Sequence, residues 1–425
     1  MKNLLFLILK YQTRLILKKY RPLVIGITGS VGKTSTKEAI FAVLRRKFNV
    51  RENHKNYNNE VGLPLTVIGA ATGNKSVFKW LNVFINACRL IIKKDSAYPK
   101  MLVLEMGADK TGDIEYLTGM APCDIGVVTA VSKVHLEFFG SLENVIREKQ
   151  KIVTHLKESH LAVLNSDDPN VLGMRTLTKA KVKTFGFSES ADFRATDIRL
   201  SQKGGQFGTS FKLHTNGTVL PVFLTNALGP AQVEAALAAL AVASSFGINL
   251  VEIVEDLSKF KAPPGRTNLL KGIKNTMLID DSYNASPASS LVALEILKDL
   301  PGPPINKKIA VFGEMLELGS YTETGHLEVG QKAAMAGVDL LVGVGEKARD
   351  IIRGAIQAGL AEDKTFYFDN NHDAGIFVQN KIKEGDLVLI KGSQGARMEQ
   401  IVKELMAEPL KAEDLLVRQT AEWLK

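Results

Sequence analysis

A chain of 425 residues, 45% hydrophobic and 23% charged, is long enough for two or three domains with ample buried core and too apolar to be largely disordered. Its net charge of +9 suits a nucleotide or another polyanionic substrate. No RNA-binding aromatic signature or dense basic run accompanies that charge, so no nucleic-acid partner is expected. The two cysteines, Cys88 and Cys123, supply neither a disulfide framework nor a metal-ligand spacing, as expected of a reducing cytoplasm.

Residues 1–21 form a basic amphipathic segment. Leu4–Leu9 is apolar, but Lys10, Arg14, Lys18 and Lys19 interrupt the residues after it. The apolar run is too short to span a bilayer, and no small-residue cleavage site marks a signal peptide. A helix here either packs its apolar side on its own domain or rests on an anionic membrane surface. The first reading is favoured, because short basic helices also dock on proteins.

Residues 23–38 carry the strongest local signal. The β-prone run Leu23–Ile27 enters a turn holding Gly29 and Gly32, then Lys33, Thr34 and Ser35, then a helical run from Glu38 to Lys47. Strand, glycine turn, Lys-Thr and helix are the parts of a phosphate-binding loop. Glycines let backbone N–H groups encircle phosphate oxygens, and the helix points its positive end at the same anion. The generic spacing wants a glycine where this chain has Ile27.

Val50–Leu65 is rich in asparagine and reads as a loop near the site or a plain surface turn. Residues 77–93 have Phe78, Trp80, Leu81, Phe84 and Ile85 at helical spacing, for which core packing is expected. Strands are predicted at Met101–Met106, Ile125–Thr129 and Leu161–Leu164, with an amphipathic helix over 142–158. Apolar strands alternating with helices predict a parallel sheet, whose ligands gather at the strands' carboxyl ends. Thr34, Glu105 and His135 fall at such ends. A hydroxyl and a carboxylate suit Mg²⁺, whereas His135 taken alone reads as a structural histidine. Residues 183–224 suggest a small antiparallel β subregion, and 229–246 an alanine-rich helix.

Ala262-Pro263-Pro264-Gly265-Arg266 marks a domain boundary, giving an N-terminal helix (1–21), a central domain (22–262) and a C-terminal domain (263–425). In the last, strands are predicted at Thr276–Asp280, Lys308–Phe312, Leu340–Val344 and Leu387–Ile390. Asp280 and Asp281 close the first, with Ser286 and Pro287 placed to cap the following helix. Polar loops also leave the strands at Gly313–Gly319 and at Lys391–Gln394. The predicted fold class is α/β: a central phosphate-loop domain with a mostly parallel sheet and a small β subregion, then a Rossmann-like domain.

This set of motifs resembles the Mur ligases of peptidoglycan synthesis over residues 22 to 405 or so. The resemblance rests on 26–35 (GITGSVGKTS), 56–64 (NYNNEVGLP), 104–109 (LEMGAD), 135–141 (HLEFFGS), 280–287 (DDSYNASP), 313–319 (GEMLELG) and 391–393 (KGS). The Asn-Asn-Glu-Val-Gly and Asp-Ser-Tyr-Asn-Ala pieces point to the branch that adds D-alanyl-D-alanine.

The resemblance implies ATP and Mg²⁺ as cofactors. UDP-N-acetylmuramoyl tripeptide and D-alanyl-D-alanine are the implied substrates, joined through an acyl phosphate by a monomer. Gly29, Ser30, Val31, Gly32, Lys33, Thr34 and Ser35 would hold ATP phosphates, with Arg266 and Asp281 contacting ATP from the C-terminal domain. Thr34, Glu105, His135 and Lys149 would make the metal sites. Lys149 falls where the family carries a carbamylated lysine, although by itself it reads as a solvated lysine in the basic run 147–151. Lys33, His135 and Lys149 are the catalytic candidates; Asn58, Asn59, Asn284, Lys391 and Ser393 are the substrate candidates. The chain departs from the family at Ala231 and Ala235, where a histidine and an asparagine linked to nucleotide binding are usual, so altered adenine contacts are expected. The family also carries a UDP-binding domain before the phosphate loop, where only about twenty residues stand here. Recognition of UDP is therefore expected to be reduced, relocated or supplied by another chain. A related ligase acting on a lipid-linked or altered muramoyl substrate, and an ATP-binding scaffold without turnover, stay open as alternatives.

Overall fold

The computed structural model describes residues 2–53, 57–132, 139–301, 305–420 and 423. They form two compact units. The first comprises 1–197 with 211–223 and 231–260; the second comprises 198–210, 224–230 and 261–425.

The first unit opens with α1 (Lys2–Tyr20), β1 (Leu23–Thr28), α2 (Lys33–Leu44), β2 (Val50–Glu52), α3 (Gly62–Ile68) and α4 (Val77–Ile92). After these come β3 (Met101–Glu105), α5 (Asp113–Met120), β4 (Ile125–Val128), α6 (Leu142–Lys149) and β5 (Leu161–Asn165). Next is β6 (Lys181–Gly186), followed by β7 (Phe193–Lys203), β8 (Gln206–Thr215) and β9 (Thr218–Thr225), of which residues 198–203, 206–210 and 224–225 are grouped with the second unit. The sheet order is β2-β3-β1-β4-β5-β6-β7-β8-β9. Strands β1 to β6 pair in parallel. β3, β4 and β5 are buried along their whole length, which is why they read as continuous apolar runs and not as alternation. The small β subregion expected at 183–224 is present as β6 to β9. β6 to β9 extend the main sheet, because β6 hydrogen-bonds to β5 and β7 to β6.

Two expectations change. Residues 50–65 are not a surface turn: they supply β2 and the start of α3, and Asn53 is fully buried. In α4, only one face is core. Val83, Ala87 and Leu90 are buried, Trp80 and Phe84 are half-buried, and Phe78, Leu81 and Ile85 are exposed. The face that would be free is partly taken by α1, which buries Leu9 and Ile16 in the same core. Those two side chains together are worth about 3–6 kcal/mol of burial. Lys19 donates to the carbonyls of Leu90 (2.9 Å) and Ile91 (2.8 Å), closing the carboxyl end of α4, while the Arg14 guanidinium donates to the Gly119 carbonyl at the end of α5. A cation satisfies orphan carbonyls and complements the helix dipole.

The second unit has a six-stranded sheet of order β10-β11-β15-β12-β13-β14. Its strands are β10 (Asn268–Lys271), β11 (Met277–Asp281), β12 (Lys308–Gly313), β13 (Leu340–Val344), β14 (Thr365–Phe368) and β15 (Leu387–Lys391). Only the β10–β11 pair is antiparallel. The sequence misses β10 and β14, which are half-buried edge strands of only 4 residues each, too short to show a period. As expected, Ser286 caps the helix Pro287–Asp299, here in a reciprocal capping box with Ser289.

Candidate active site

β1 lies between β3 and β4, with Ile27 opposite Glu105 and Thr28 opposite Val128. The phosphate loop therefore leaves the sheet beside the carboxyl ends of both neighbours, where an open α/β sheet places its ligands. Gly32 has φ 82° and ends the loop at the amino terminus of α2. Gly29 has φ 154°, and a Cβ there would sit 2.0 Å from Thr129 Oγ1. That hydroxyl is committed, donating to the Val31 carbonyl at 2.6 Å. Ser30 is held from the same side, its N–H donating to the Ala130 carbonyl at 2.7 Å and its Oγ accepting from Ser132 N–H at 3.0 Å. The loop is thus fixed by the chain leaving β4.

Three cationic or acidic groups converge on it. The Lys33 ammonium donates to the carbonyls of Gly29 (2.8 Å) and Ser30 (3.3 Å). Lys149, on the last turn of α6, donates to the same Gly29 carbonyl at 3.0 Å. Burial, reinforced by the nearby Lys33 charge, lowers the Lys149 amine from 10.5 to about 7. Thr34 Oγ1 donates to Glu105 Oε2 at 2.9 Å, and Asn58 Nδ2 donates to Glu105 Oε1 at 3.0 Å. Ser35 is buried at the first turn of α2, and Val31 is exposed at the loop's tip. Asn59 accepts from Gly62 N–H at 2.9 Å and so serves the start of α3. His135 lies outside the described residues.

Glu105 is itself positioned by residues outside the sequence-predicted site. Its backbone N–H donates to Asn53 Oδ1, and Asn53 Nδ2 donates to the Tyr57 carbonyl. The Asn53 carbonyl accepts from the buried Lys37 ammonium at 2.7 Å. Lys37 also meets Glu38 at 2.9 Å and Glu52 at 3.1 Å. Burial works against its charge, but the two carboxylates outweigh it and hold the amine above its ordinary value. Four residues after Lys33, Lys37 is one helical turn on, and that spacing was the available signal.

The second unit carries its own cluster. Asp281 Oδ2 accepts from the Lys391 ammonium at 2.6 Å, Asp281 Oδ1 accepts from Thr267 N–H at 3.1 Å, and Lys391 also donates to the Asn284 carbonyl at 2.9 Å. Asp280 is fully buried, accepts from the N–H groups of Gly265 and Ser282, and is pushed up to about 6 by that burial. Ser393 Oγ donates to the Ala285 carbonyl and accepts from Leu316 N–H at 2.9 Å. The Arg266 guanidinium lies 4.2 Å from the centre of the Tyr283 ring. Arg418, which nothing local in the sequence marks, donates to the Ser282 carbonyl and to Glu399 beside the same ring. In the helix Pro230–Ala243, Ala231 is exposed and Ala235 is buried.

Glycine-loop amides at a helix amino terminus, with a lysine among them, are built to cradle phosphates. A hydroxyl and a carboxylate in contact beside them offer hard oxygen donors. Among the described residues no group of three or more His, Cys, Asp or Glu side chains is placed to hold a metal. Two protein oxygens suit Mg²⁺, which keeps waters and takes phosphate oxygens in preference to an all-protein cage.

Residues 27–78 and 85–243 match the model of the Mur ligase middle domain, and 265–394 match that of the Mur ligase, glutamate ligase domain. The chain belongs to the Mur ligase family. It is an ATP-dependent ligase of that type, on an α/β fold as the motifs implied. It is 32% identical to the UDP-N-acetylmuramoyl-tripeptide–D-alanyl-D-alanine ligase of Bacillus subtilis, over 91% of this chain and 76% of that one. Against the ligase of the same name from Escherichia coli the identity is 31%, over 90% and 76%. The crystal structure of the MurF ligase from Thermotoga maritima in complex with ADP superposes with a TM-score of 0.76 at 28% identity, covering 95% of this chain and 84% of that one. Among the described residues of this Mur ligase, no helix is long and apolar enough to cross a membrane.

Proposed function

We propose that this Mur ligase joins D-alanyl-D-alanine to UDP-N-acetylmuramoyl tripeptide in the cytoplasm, as a monomer, using ATP and Mg²⁺. The observation that carries the reading is the Thr34–Glu105–Asn58 contact beside a phosphate loop into which two lysines donate. The names of the relatives at about one-third identity support the choice of substrates.

In the reaction, the γ-phosphoryl group of ATP passes to the tripeptide carboxylate, giving an acyl phosphate and ADP. The amine of D-alanyl-D-alanine then attacks the acyl carbon, inorganic phosphate leaves, and the amine loses a proton as the amide forms. Loop N–H groups and the Lys33 ammonium would bind the phosphates and offset charge as it moves between them. Thr34 and Glu105 would hold Mg²⁺, which supplies further neutralisation of phosphate charge. Lys149, with its amine near neutral at physiological pH, is fit to add carbon dioxide as the uncharged amine, forming a carbamate and releasing one proton. That change would put an anion where a largely uncharged amine stood, beside the metal donors. Arg266, Asp281, Asn284, Lys391 and Ser393 would serve ATP and the incoming dipeptide from the second unit.

Phosphate release from ATP in the presence of the muramoyl tripeptide and D-alanyl-D-alanine tests this. Release should require both. Release with no dipeptide dependence, or none with any muramoyl peptide, would overturn the reading. A clear preference for a lipid-linked acceptor would replace the soluble one in it.

A further inference from the structure

The outer faces of α1 and α4 are apolar, although no other described part of the chain covers them. On α1, Leu4, Leu7 and Tyr11 repeat at helical spacing and are all more than half exposed. On α4, Leu81, Ile85 and Ile92 form a second row with Phe78 at its start, and Phe78 and Ile92 are 81% and 83% exposed. The Gln12 amide reaches the Cys88 sulfur at 3.7 Å. Cys88 is exposed and lies in the α4 row between Ile85 and Ile92, so the two rows border one another. Single exposed apolar side chains need no explanation, but adjoining rows on packed helices mark an interaction surface.

The charge carried by the two helices themselves has one sign, while Glu115 and Asp95 stand on neighbouring segments. Residues 1–21 and 74–94 contain no aspartate or glutamate, and they carry Lys10, Arg14 and Lys18 on the first helix and Lys75, Lys79 and Arg89 on or beside the second. Beyond Tyr11 the α1 surface becomes a cleft of about 750 Å³ lined by Arg14, Lys18, Arg21 and Lys157. Its wall also carries Asp124, which accepts from Val24 N–H at 2.8 Å. Protein–protein interfaces are depleted of lysine, whereas apolar rows edged by lysine and arginine match an anionic bilayer. Apolar side chains enter the acyl boundary and the cations meet headgroup phosphates.

We propose that α1 and α4 together form a peripheral docking face for anionic lipid, on which the first unit lies in the membrane plane without crossing it. The face is separate from the phosphate loop and independent of which muramoyl substrate is used.

The test is co-sedimentation of the full chain with vesicles, either pure phosphatidylcholine or an equal mixture with phosphatidylglycerol. The chain should bind the mixed vesicles, bind neutral ones at least about tenfold more weakly, and be released by salt. The double variant Phe78→Glu, Ile85→Glu should lose at least about tenfold in vesicle affinity, with its thermal unfolding and soluble ATP-dependent phosphate release unchanged. Lys18→Glu with Lys79→Glu should lower binding to the anionic vesicles alone. Absence of sedimentation, or sedimentation indifferent to both double variants, would overturn the proposal. So would self-association of the wild type that the Phe78→Glu, Ile85→Glu variant abolishes, which would assign the face to a second copy of the chain.

Discussion

Replacing Lys149 by methionine should stabilise the fold and abolish turnover. The buried amine falls from 10.5 to about 7, and at about 1.4 kcal/mol per pKa step the ammonium then costs the fold roughly 5 kcal/mol at and below neutral pH. Methionine is one atom shorter, unbranched, and packs without charge. It also loses the hydrogen bond to the Gly29 carbonyl, a change of about 1 kcal/mol, and that carbonyl retains Lys33 at 2.8 Å. Since replacing buried charge by an apolar side chain commonly gains about 1–4 kcal/mol, a gain in that range is expected near pH 6. The pH dependence identifies the cause. The unfolded chain holds the lysine proton up to 10.5, while the folded chain releases it near 7. Wild-type stability therefore rises with pH across that window, and the rise is lost as pH falls back through 7. The variant lacks it, so its advantage should shrink by about 1.4 kcal/mol per pH step above neutral. Urea unfolding at several pH values, in buffer stripped of bicarbonate to keep the amine free, measures this. An advantage that does not change with pH, or a variant less stable than wild type near pH 6, would refute the assignment of a discharged buried lysine. Phosphate release by the variant at wild-type rate would separately remove Lys149 from the site.

Lys33→Ala should reduce ATP-dependent phosphate release by about a thousandfold or more while the chain still unfolds cooperatively, because the hydrogen bonds from Lys33 to the Gly29 and Ser30 carbonyls are local. Gly29→Ala drives a methyl group into Thr129 Oγ1; ADP affinity by calorimetry should fall tenfold or more, with a stability loss of about 1–3 kcal/mol. Asn53→Ala removes the group that holds the Glu105 backbone. It should raise the Mg²⁺ concentration needed for half-maximal activity, and it should cost about 1–3 kcal/mol in urea unfolding by leaving buried partners unpaired. An unchanged Mg²⁺ requirement would show that Asn53 serves the fold alone.

The phosphate loop was legible because its parts are contiguous. β1, the two glycines and the first turn of α2 are local structures specified by neighbours in the chain. Parallel strands buried throughout are also visible as uninterrupted apolar runs. Family membership emerged from the order of the motifs along the chain. Edge strands β10 and β14 were missed because runs of 4 residues are too short to show a strand period.

The sequence by itself therefore determined the chemistry available at the strand ends: glycines, Lys33, Thr34, Glu105 and the acids closing β11. The tertiary structure decided how those groups are held. Pairing of β2 with β3 brings Asn53 to Glu105, and packing of α6 buries Lys149 against the Gly29 carbonyl, where desolvation removes its preference for charge. The same distinction applies to α4. Helical periodicity gives its apolar rows, but only the placement of its neighbours, α1 and α3, settles which row enters the core and which remains facing solvent, because burial is a property of the assembled neighbours and not of the segment.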